Sequence, residues 1–157
     1  MSKFLLCAAV LAVALVVFAS PAGAGPPTTV TGTYAVTNAV IDSVRTAGGN
    51  TFTTYTSISG VWAGGLSGPF ETDGIVARTQ ADGSLTAQGT IVCTGCTVGG
   101  RTGDFVANLV NTSPGPKMGG TITVVSATGG LTGLHAVNHF VGTPFAGDTS
   151  WTYSFDP

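Results

Sequence analysis

The sequence has few charged residues: 5 lysines and arginines and 7 aspartates and glutamates among 157 residues, for a net charge of −2. The basic residues are scattered, which argues against nucleic-acid binding because that function needs a clustered positive surface. Low charge combined with 43% hydrophobic residues is also the opposite of a disordered composition. Lysine and glutamate, which favour helices, are scarce, whereas glycine and threonine are abundant, so the chain is predicted to form strands and turns.

The longest apolar run lies at the N-terminus. Met1-Ser2-Lys3 is a short positive segment, residues 4–19 carry no charge, and Ala22-Gly23-Ala24 fits a signal-peptidase site. The apolar run is shorter than the ~20 residues that a membrane-spanning helix needs, so we expect cleavage and no stable membrane insertion. Residues 1–24 are therefore predicted to be a secretory signal peptide, and residues 25–157 a single domain of an extracellular or periplasmic protein.

Cysteine is scarce as well, and the predicted mature chain keeps only Cys93 and Cys96. Export would place this pair where disulfides persist, and four residues in a tight turn bring the end Cα atoms within about 7 Å. We therefore predict a disulfide. A thioredoxin-like redox pair would begin a helix, which no pattern after Cys96 indicates. A zinc site would need further ligands nearby in the sequence, so no metal site is predicted.

Alternation of apolar and polar residues is the main pattern that the sequence does contain. Apolar positions of period two run from Leu85 to Cys93 and resume from Phe105 to Leu109, which is typical of a β-hairpin with one buried face. The glycine-rich residues between them, 95–103, are predicted to form its turn. Similar segments along the chain indicate about eight strands and no amphipathic helix. Residues 39–49 and 60–69 break the alternation and are predicted to be a loop or bent edge and a turn or bent strand.

These patterns predict an all-β fold: a single closed or nearly closed eight-stranded antiparallel β-barrel. Closely spaced strands suit hairpin connections, and closure removes exposed sheet edges. An eight-stranded barrel is wide enough to hold side chains or one small ligand. Aromatic residues that would line the lumen, or simply fill it, are Phe52, Trp62, Trp151, Tyr153 and Phe155.

Several glycine and turn motifs occur in an order that resembles a known family. They include Ile58-Ser59-Gly60, Ala81-Asp82-Gly83-Ser84, residues 98–105 and Gly130-Leu131-Thr132-Gly133-Leu134. The pattern spans residues 32–155 and is similar to a family of uncharacterised, mostly bacterial small proteins of the allene oxide cyclase-like barrel type, a domain of unknown function. The resemblance implies a calycin-like, eight-stranded antiparallel barrel and carries no catalytic residue onto this chain.

Four titratable residues are weak candidates for catalysis. His135 and His139 share a strand face but lie about 13 Å apart at ~3.3 Å per residue, too far to bind one metal together. Glu71 and Asp73 resemble a carboxylate pair, although we favour a solvent-facing edge for them. The sequence contains no Gly-x-Ser-x-Gly, Walker-type or His-Glu-x-x-His motif, so hydrolase, nucleotide-binding and zinc-protease functions have no support. No cofactor is expected.

Barrel geometry suggests a secreted, non-enzymatic protein that binds a small apolar ligand or a partner at a mouth formed by loops 39–49 and 113–120. The alternative is a cofactor-free isomerase or cyclase resembling allene oxide cyclase, in which a buried Glu71 or a bound water stabilises charge. A structural cell-surface protein is a third hypothesis, and a solidly packed lumen would favour it over the other two. An outer-membrane barrel is disfavoured because the apolar face lacks a full aromatic girdle. The sequence leaves the oligomeric state open.

Overall fold

Eight strands make up the fold in a computed structural model that describes residues 25–114 and 117–157. The strands are β1 (Thr28–Ala47), β2 (Asn50–Gly64), β3 (Leu66–Thr79), β4 (Leu85–Val98), β5 (Arg101–Ser113), β6 (Met118–Gly129), β7 (Leu134–Gly142) and β8 (Ala146–Phe155). The predicted signal peptide, residues 1–24, lies outside the described residues. Within residues 25–114 and 117–157, no helix is long and apolar enough to span a membrane.

Each strand pairs antiparallel with the next one in the chain, and β1 pairs with β8, so the strands form a closed ring. The predicted all-β, eight-stranded antiparallel fold is therefore confirmed. Alternation is the cause, because a strand with one buried face must place every second side chain in the core. Strand β7 shows this most simply, since Leu134, Ala136, Asn138 and Phe140 are buried and the residues between them are exposed.

The two ends of the barrel differ in the turns that they carry. At the upper end lie the turns β1–β2, β3–β4, β5–β6 and β7–β8; at the lower end lie the other three turns and residues 28 and 155. Two of the turns are the glycine pairs Gly48-Gly49 and Gly99-Gly100, with φ between 57° and 79°. Two-residue hairpin turns of this type need positive φ at both positions, which glycine adopts without steric cost.

Strand β1 continues for twelve residues beyond the part that closes the ring. Its pairing with β8 covers Thr28–Ala35, whereas its pairing with β2 continues to Ala47. We call residues 38–47 the edge segment of β1, because within the described part of the chain they pair with β2 alone. This segment is exposed on both faces, including Val40, Ile41 and Val44.

Residues 39–49 were predicted to be a loop or a bent edge, and the edge segment shows that they form an edge strand. Those residues are strand as far as Ala47, and the turn consists of Gly48 and Gly49 alone. A strand exposed on both faces has no buried set of residues and therefore no alternation to detect. Register shifts between Val36 and Asn38 and again around Ile41 disrupt the pattern further.

Two other irregular segments are also shorter than predicted. Strand β2 reaches Gly64 and β3 begins at Leu66, so only Gly65 separates two strands in the predicted bend over residues 60–69. Strand β5 ends at Ser113 and β6 begins at Met118, which shortens the predicted loop 113–120. The wide mouth predicted from loops 39–49 and 113–120 is therefore replaced by strands that run almost to the rim.

A disulfide joins Cys93 and Cys96 inside strand β4, as predicted, with their Cα atoms 5.9 Å apart. Both side chains are fully buried. The predicted position in a turn is wrong, because the pair flanks a β-bulge and the turn lies further on, at Gly99-Gly100. Gly95 occupies the bulge with a φ of 69°, and its N–H donates a hydrogen bond of 2.7 Å to Oδ1 of Asp104.

Candidate functional site

The lower half of the barrel is filled by aromatic and aliphatic side chains. The ring of Trp62 stacks on Phe105 with centroids 5.8 Å apart and meets Trp151 edge-on at 5.5 Å. Phe105 and Trp151 contact each other edge-on at 6.2 Å, an arrangement that aromatic pairs prefer. Leu66, Val98 and Leu131 complete this part of the core, each at most 1% exposed. Among the described residues, these side chains pack against one another in a single core cluster at this level.

A cavity of about 90 Å³ lies above this packing. Its floor is formed by Trp62 and Phe70, whose ring centroids are 4.6 Å apart. Met118, at the start of β6, and Pro144, in the β7–β8 turn, lie toward the upper end. The walls consist of aliphatic side chains from six strands: Val36, Ile58, Ile75, Ile91, Leu109 and Ile122. The cavity is therefore apolar and reaches toward the upper end of the barrel.

Gly60 makes room for the floor of the cavity. A Cβ atom at this position would lie 2.4 Å from Cζ of Phe70 and 2.4 Å from the carbonyl oxygen of Ala35. Real Cβ atoms are not found this close to other atoms, so any side chain here would displace the Phe70 ring. The absence of a side chain at Gly60 is thus what allows the Phe70 ring to pack against Trp62.

Tyr34 connects the cavity wall to the turn that closes over its rim. Its ring meets Phe140 edge-on at 5.9 Å, and its hydroxyl donates a hydrogen bond to the carbonyl oxygen of Thr143 in the β7–β8 turn. Burial raises the pKa of Tyr34 above its usual value of 10.0, and the negative charge of Asp148 adds to this. The phenol therefore remains a neutral hydrogen-bond donor at physiological pH.

Two further polar side chains line the cavity from opposite walls. Asn138 lies on β7 and Thr72 on β3, four positions apart in the ring of eight strands. Oδ1 of Asn138 accepts a hydrogen bond of 3.2 Å from the backbone N–H of Ser150, while its Nδ2 has no partner among the described residues. The Thr72 hydroxyl accepts a hydrogen bond of 3.1 Å from the N–H of Ile58.

The titratable residues that the sequence offered for catalysis lie outside this cavity. Glu71 and Asp73 are exposed on β3, on the face opposite to Thr72, as expected for a solvent-facing strand. His135 is exposed and its Nε2 lies 2.9 Å from Oδ1 of Asp156. His139 is exposed on the same strand face, beside Asp148. Within residues 25–114 and 117–157, no group of three or more histidine, cysteine or acidic residues could hold a metal ion.

The five aromatic residues proposed for the lumen lie in four different places. Trp62 lines the cavity and Trp151, 1% exposed, belongs to the packing beneath it. Tyr153 and Phe155 are half-buried against the core at the lower end, where the Arg101 guanidinium lies 4.1 Å from the Phe155 ring centroid.

Phe52 is the exception, because it lies between two exposed arginines instead of in the lumen. The guanidinium of Arg45 is 4.3 Å from its ring centroid and that of Arg78 is 5.9 Å from it. Irregular pairing of β2 between Tyr55 and Ser57 separates Phe52 from the regular alternation that places Ile58, Gly60 and Trp62 inside.

Sequence analysis did not identify Tyr34, Thr72 or Asn138 as site residues. A signal for Asn138 does exist in β7, where it is the one amide between the inward-facing Ala136 and Phe140. The histidines chosen as candidates in the same strand, His135 and His139, lie on its opposite, exposed face. A polar residue in register with an apolar inward series is therefore a more useful pointer here than titratable chemistry.

Comparisons with known proteins identify a family. A family model described as "Protein of unknown function (DUF3224)" matches residues 30–156. The fold is similar to the crystal structure of a protein with unknown function from the DUF3224 family from Shewanella oneidensis MR-1, with 21% sequence identity and a TM-score of 0.70. This match covers 83% of the chain and 98% of the bacterial protein. No curated protein matches the chain. The resemblance to a bacterial family of unknown function is thus confirmed, and neither match names the allene oxide cyclases.

Proposed function

The chain belongs to the DUF3224 family of proteins of unknown function, and we propose that it binds a small apolar molecule in the upper half of its barrel. The apolar cavity above a filled lower half carries this proposal. Protein interiors are close-packed, and an empty cavity costs about 24 cal/mol per Å³, or about 2 kcal/mol for a cavity of 90 Å³. A ligand that fills the space would restore the missing contacts.

The lining defines the class of ligand. Aliphatic and aromatic side chains form the floor and walls, and no charged side chain lines the cavity in the part of the chain that the structure describes. Apolar pockets with a few placed polar groups are typical of small-molecule sites. The ligand is therefore a small, uncharged and mainly apolar molecule.

The upper end is the proposed route of entry. Met118 lies there, and its unbranched side chain adapts its shape more easily than the β-branched residues of the walls. Pro144 lies in the short β7–β8 turn on the same side of the cavity. A ligand longer than the cavity would extend between these residues toward solvent.

The carboxylate proposed for the isomerase or cyclase alternative does not lie in the cavity. That hypothesis placed a buried Glu71 in the lumen, but Glu71 is exposed on the outer face of β3. The described lining residues include no other carboxylate that could stabilise charge on a reacting molecule. Binding without chemistry is therefore the simpler function for this cavity.

Export belongs to the same proposal. The segment 1–24 has the features of a signal peptide, and the Cys93–Cys96 disulfide is of a kind that persists in oxidising compartments. The protein would therefore meet its ligand outside the cytoplasm. Mass spectrometry of the secreted protein tests this part, because cleavage would give a mature chain that begins at Gly25.

Two matched variants of neighbouring residues test ligand binding. Leu109→Phe adds bulk to a cavity wall, whereas Val110→Phe places the same ring on the exposed face of β5. With methylenecyclopentane as the probe and ligand-observed NMR as the measurement, we expect binding by wild type and Val110→Phe, and at least tenfold weaker binding by Leu109→Phe.

A second variant and a folding check keep this test decisive. Ile122→Phe fills the cavity from β6, and circular dichroism verifies that each variant remains folded. A wild-type protein that binds no probe, or folded cavity-filling variants that bind it as wild type does, would refute the proposed function. The structural cell-surface hypothesis would then be preferred.

A further inference from the structure

We infer that the ligand carries a neutral hydrogen-bond acceptor, of which a carbonyl oxygen is the simplest case, and that this acceptor pairs with Nδ2 of Asn138. The inference rests on the proposed function, because it concerns the same cavity. It adds a chemical requirement that shape and apolarity alone do not impose.

The Nδ2 group of Asn138 is a hydrogen-bond donor that no described residue uses. The side chain is fully buried on the inward face of β7, lines the cavity, and has an Nδ2 group without a partner among the described residues. Buried amide groups are nearly always hydrogen-bonded, because desolvation without a compensating bond is unfavourable. The two N–H bonds of Asn138 thus indicate a partner other than the described residues, and we assign this partner to the ligand.

The orientation of the Asn138 side-chain amide is fixed by the hydrogen bond that its Oδ1 atom accepts. The N–H of Ser150 donates to Oδ1 of Asn138 at 3.2 Å, and a flipped amide would set two donors against each other. Nitrogen, and not oxygen, is therefore the atom left for a ligand. This assigns the complementary group on the ligand as an acceptor.

Thr72, on the opposite wall of the cavity, also offers a hydrogen-bond donor. The Thr72 hydroxyl already accepts from Ile58, so its remaining capacity includes its own hydrogen, which is a second donor. No lysine, arginine or histidine lines the cavity in the described chain, and a buried carboxylate without a cationic partner is strongly unfavourable. The acceptor is therefore neutral, which favours a ketone, aldehyde, ester or ether over a fatty acid.

Two isosteric probes test the inference. Cyclopentanone and methylenecyclopentane differ only in an exocyclic C=O against C=CH₂, and their affinities are compared by ligand-observed NMR titration. We expect Asn138→Leu to weaken the binding of cyclopentanone on the order of tenfold, the effect of one net hydrogen bond, and to leave that of methylenecyclopentane unchanged or tighter.

Asn111→Leu is the matched control. Asn111 is also a buried asparagine whose Nδ2 has no partner among the described residues, yet it does not line the cavity. We expect Asn111→Leu to change the affinities of the two probes by the same factor, so that their ratio stays at the wild-type value.

A measurement on wild type covers the case in which Asn138→Leu does not fold. In ¹⁵N-resolved NMR spectra, cyclopentanone should move the side-chain amide resonances of Asn138 downfield, whereas methylenecyclopentane should not. The side-chain amide of Asn111 serves as the internal reference and should stay in place with both probes.

The outcomes separate this inference from the proposed function. If both probes bind, Leu109→Phe blocks both, and Asn138→Leu affects them equally, the cavity binds ligands but the acceptor requirement is refuted. If neither probe binds wild type, the proposed function falls and the inference falls with it. If Asn138→Leu weakens the binding of cyclopentanone alone, both the inference and the proposed function are supported.

Discussion

Tyr34 contributes both to the wall of the cavity and to the turn at its upper end. Its ring forms part of the cavity wall, and its hydroxyl holds the backbone of Thr143 in the turn above. Because the same residue serves both purposes, ionisation of the phenol would loosen the turn at the upper end. The stability of Tyr34 variants therefore reports how strongly the β7–β8 turn is held at this end.

Tyr34→Phe is predicted to lower the free energy of unfolding by about 1 kcal/mol at pH 7, since the hydrogen bond to Thr143 is lost and the ring is kept. The folded-state pKa is raised, so the contribution of Tyr34 is fully present below pH 10.0 and is lost as the pH rises through the higher folded value. Urea denaturation of both proteins from pH 7 to pH 11 should therefore show their stabilities converging at the alkaline end.

Tyr55→Phe is the control for removal of a phenol, because Tyr55 is only half-buried and does not line the cavity. A stability difference between Tyr34→Phe and wild type that stays constant to pH 11 would contradict the role assigned to the hydroxyl.

At the scale of single residues, the sequence predicted burial better than it predicted function. Alternation correctly placed Ile91, Cys93 and Phe105 in the core. It places Asn138 on the inward face of β7, but only the structure shows that its Nδ2 lacks a partner among the described residues and that a cavity lies beside it. Phe52 was misassigned because the irregular pairing of β2 separates it from the regular inward positions.

Strand β1 differs along its length in how it pairs. Residues 28–31 pair with β8, residues 32–35 pair with β8 and β2, and the edge segment 38–47 pairs only with β2. Long free edges tend to pair with other chains, and bulges along an edge oppose this by twisting it. The register shifts near Asn38 and Ile41 are such interruptions.

Hydrogen exchange of the backbone amides tests this division of β1. The amides of residues 32–35 should be uniformly protected, whereas in residues 38–47 those that point away from β2 should exchange much faster than their neighbours. The amides of residues 137–142 in β7, which pair on both sides, provide the reference for full protection. Uniform protection along the whole of β1 would show that the edge segment has a partner and would contradict this description.

The strands with one buried face were predictable from the sequence, whereas the edge segment was predicted only as a loop or a bent edge. A period of two arises only where one side of a strand faces the core, as in β4, β7 and β8. The edge segment has no such side, so its sequence is indistinguishable from that of a loop. The disulfide was predictable from spacing and compartment, but its position in a bulge depends on pairing with β5.

The whole barrel is divided into a filled lower half and a hollow upper half. Bulky aromatic residues such as Trp62, Phe105 and Trp151 occupy the lower part, and mostly aliphatic residues face the space above them. An eight-stranded barrel is just wide enough for either arrangement, so the strand number alone does not decide between them. This is why the sequence left the state of the lumen open.

The division is also the basis of the proposed function, which names no reaction. The titratable candidates Glu71, Asp73, His135 and His139 lie on exposed positions, and the cavity offers apolar walls with hydrogen-bond donors. Such a site suits recognition and sequestration more than acid–base chemistry.

Diffraction from crystals held under xenon gas tests the central claim most directly, because xenon enters apolar cavities without needing a specific chemical partner. The account predicts an anomalous peak above Trp62, between Ile122 and Phe140, and none in the lower half of the barrel. A barrel without a xenon site, with Phe70 or Met118 folded into the space instead, would contradict it.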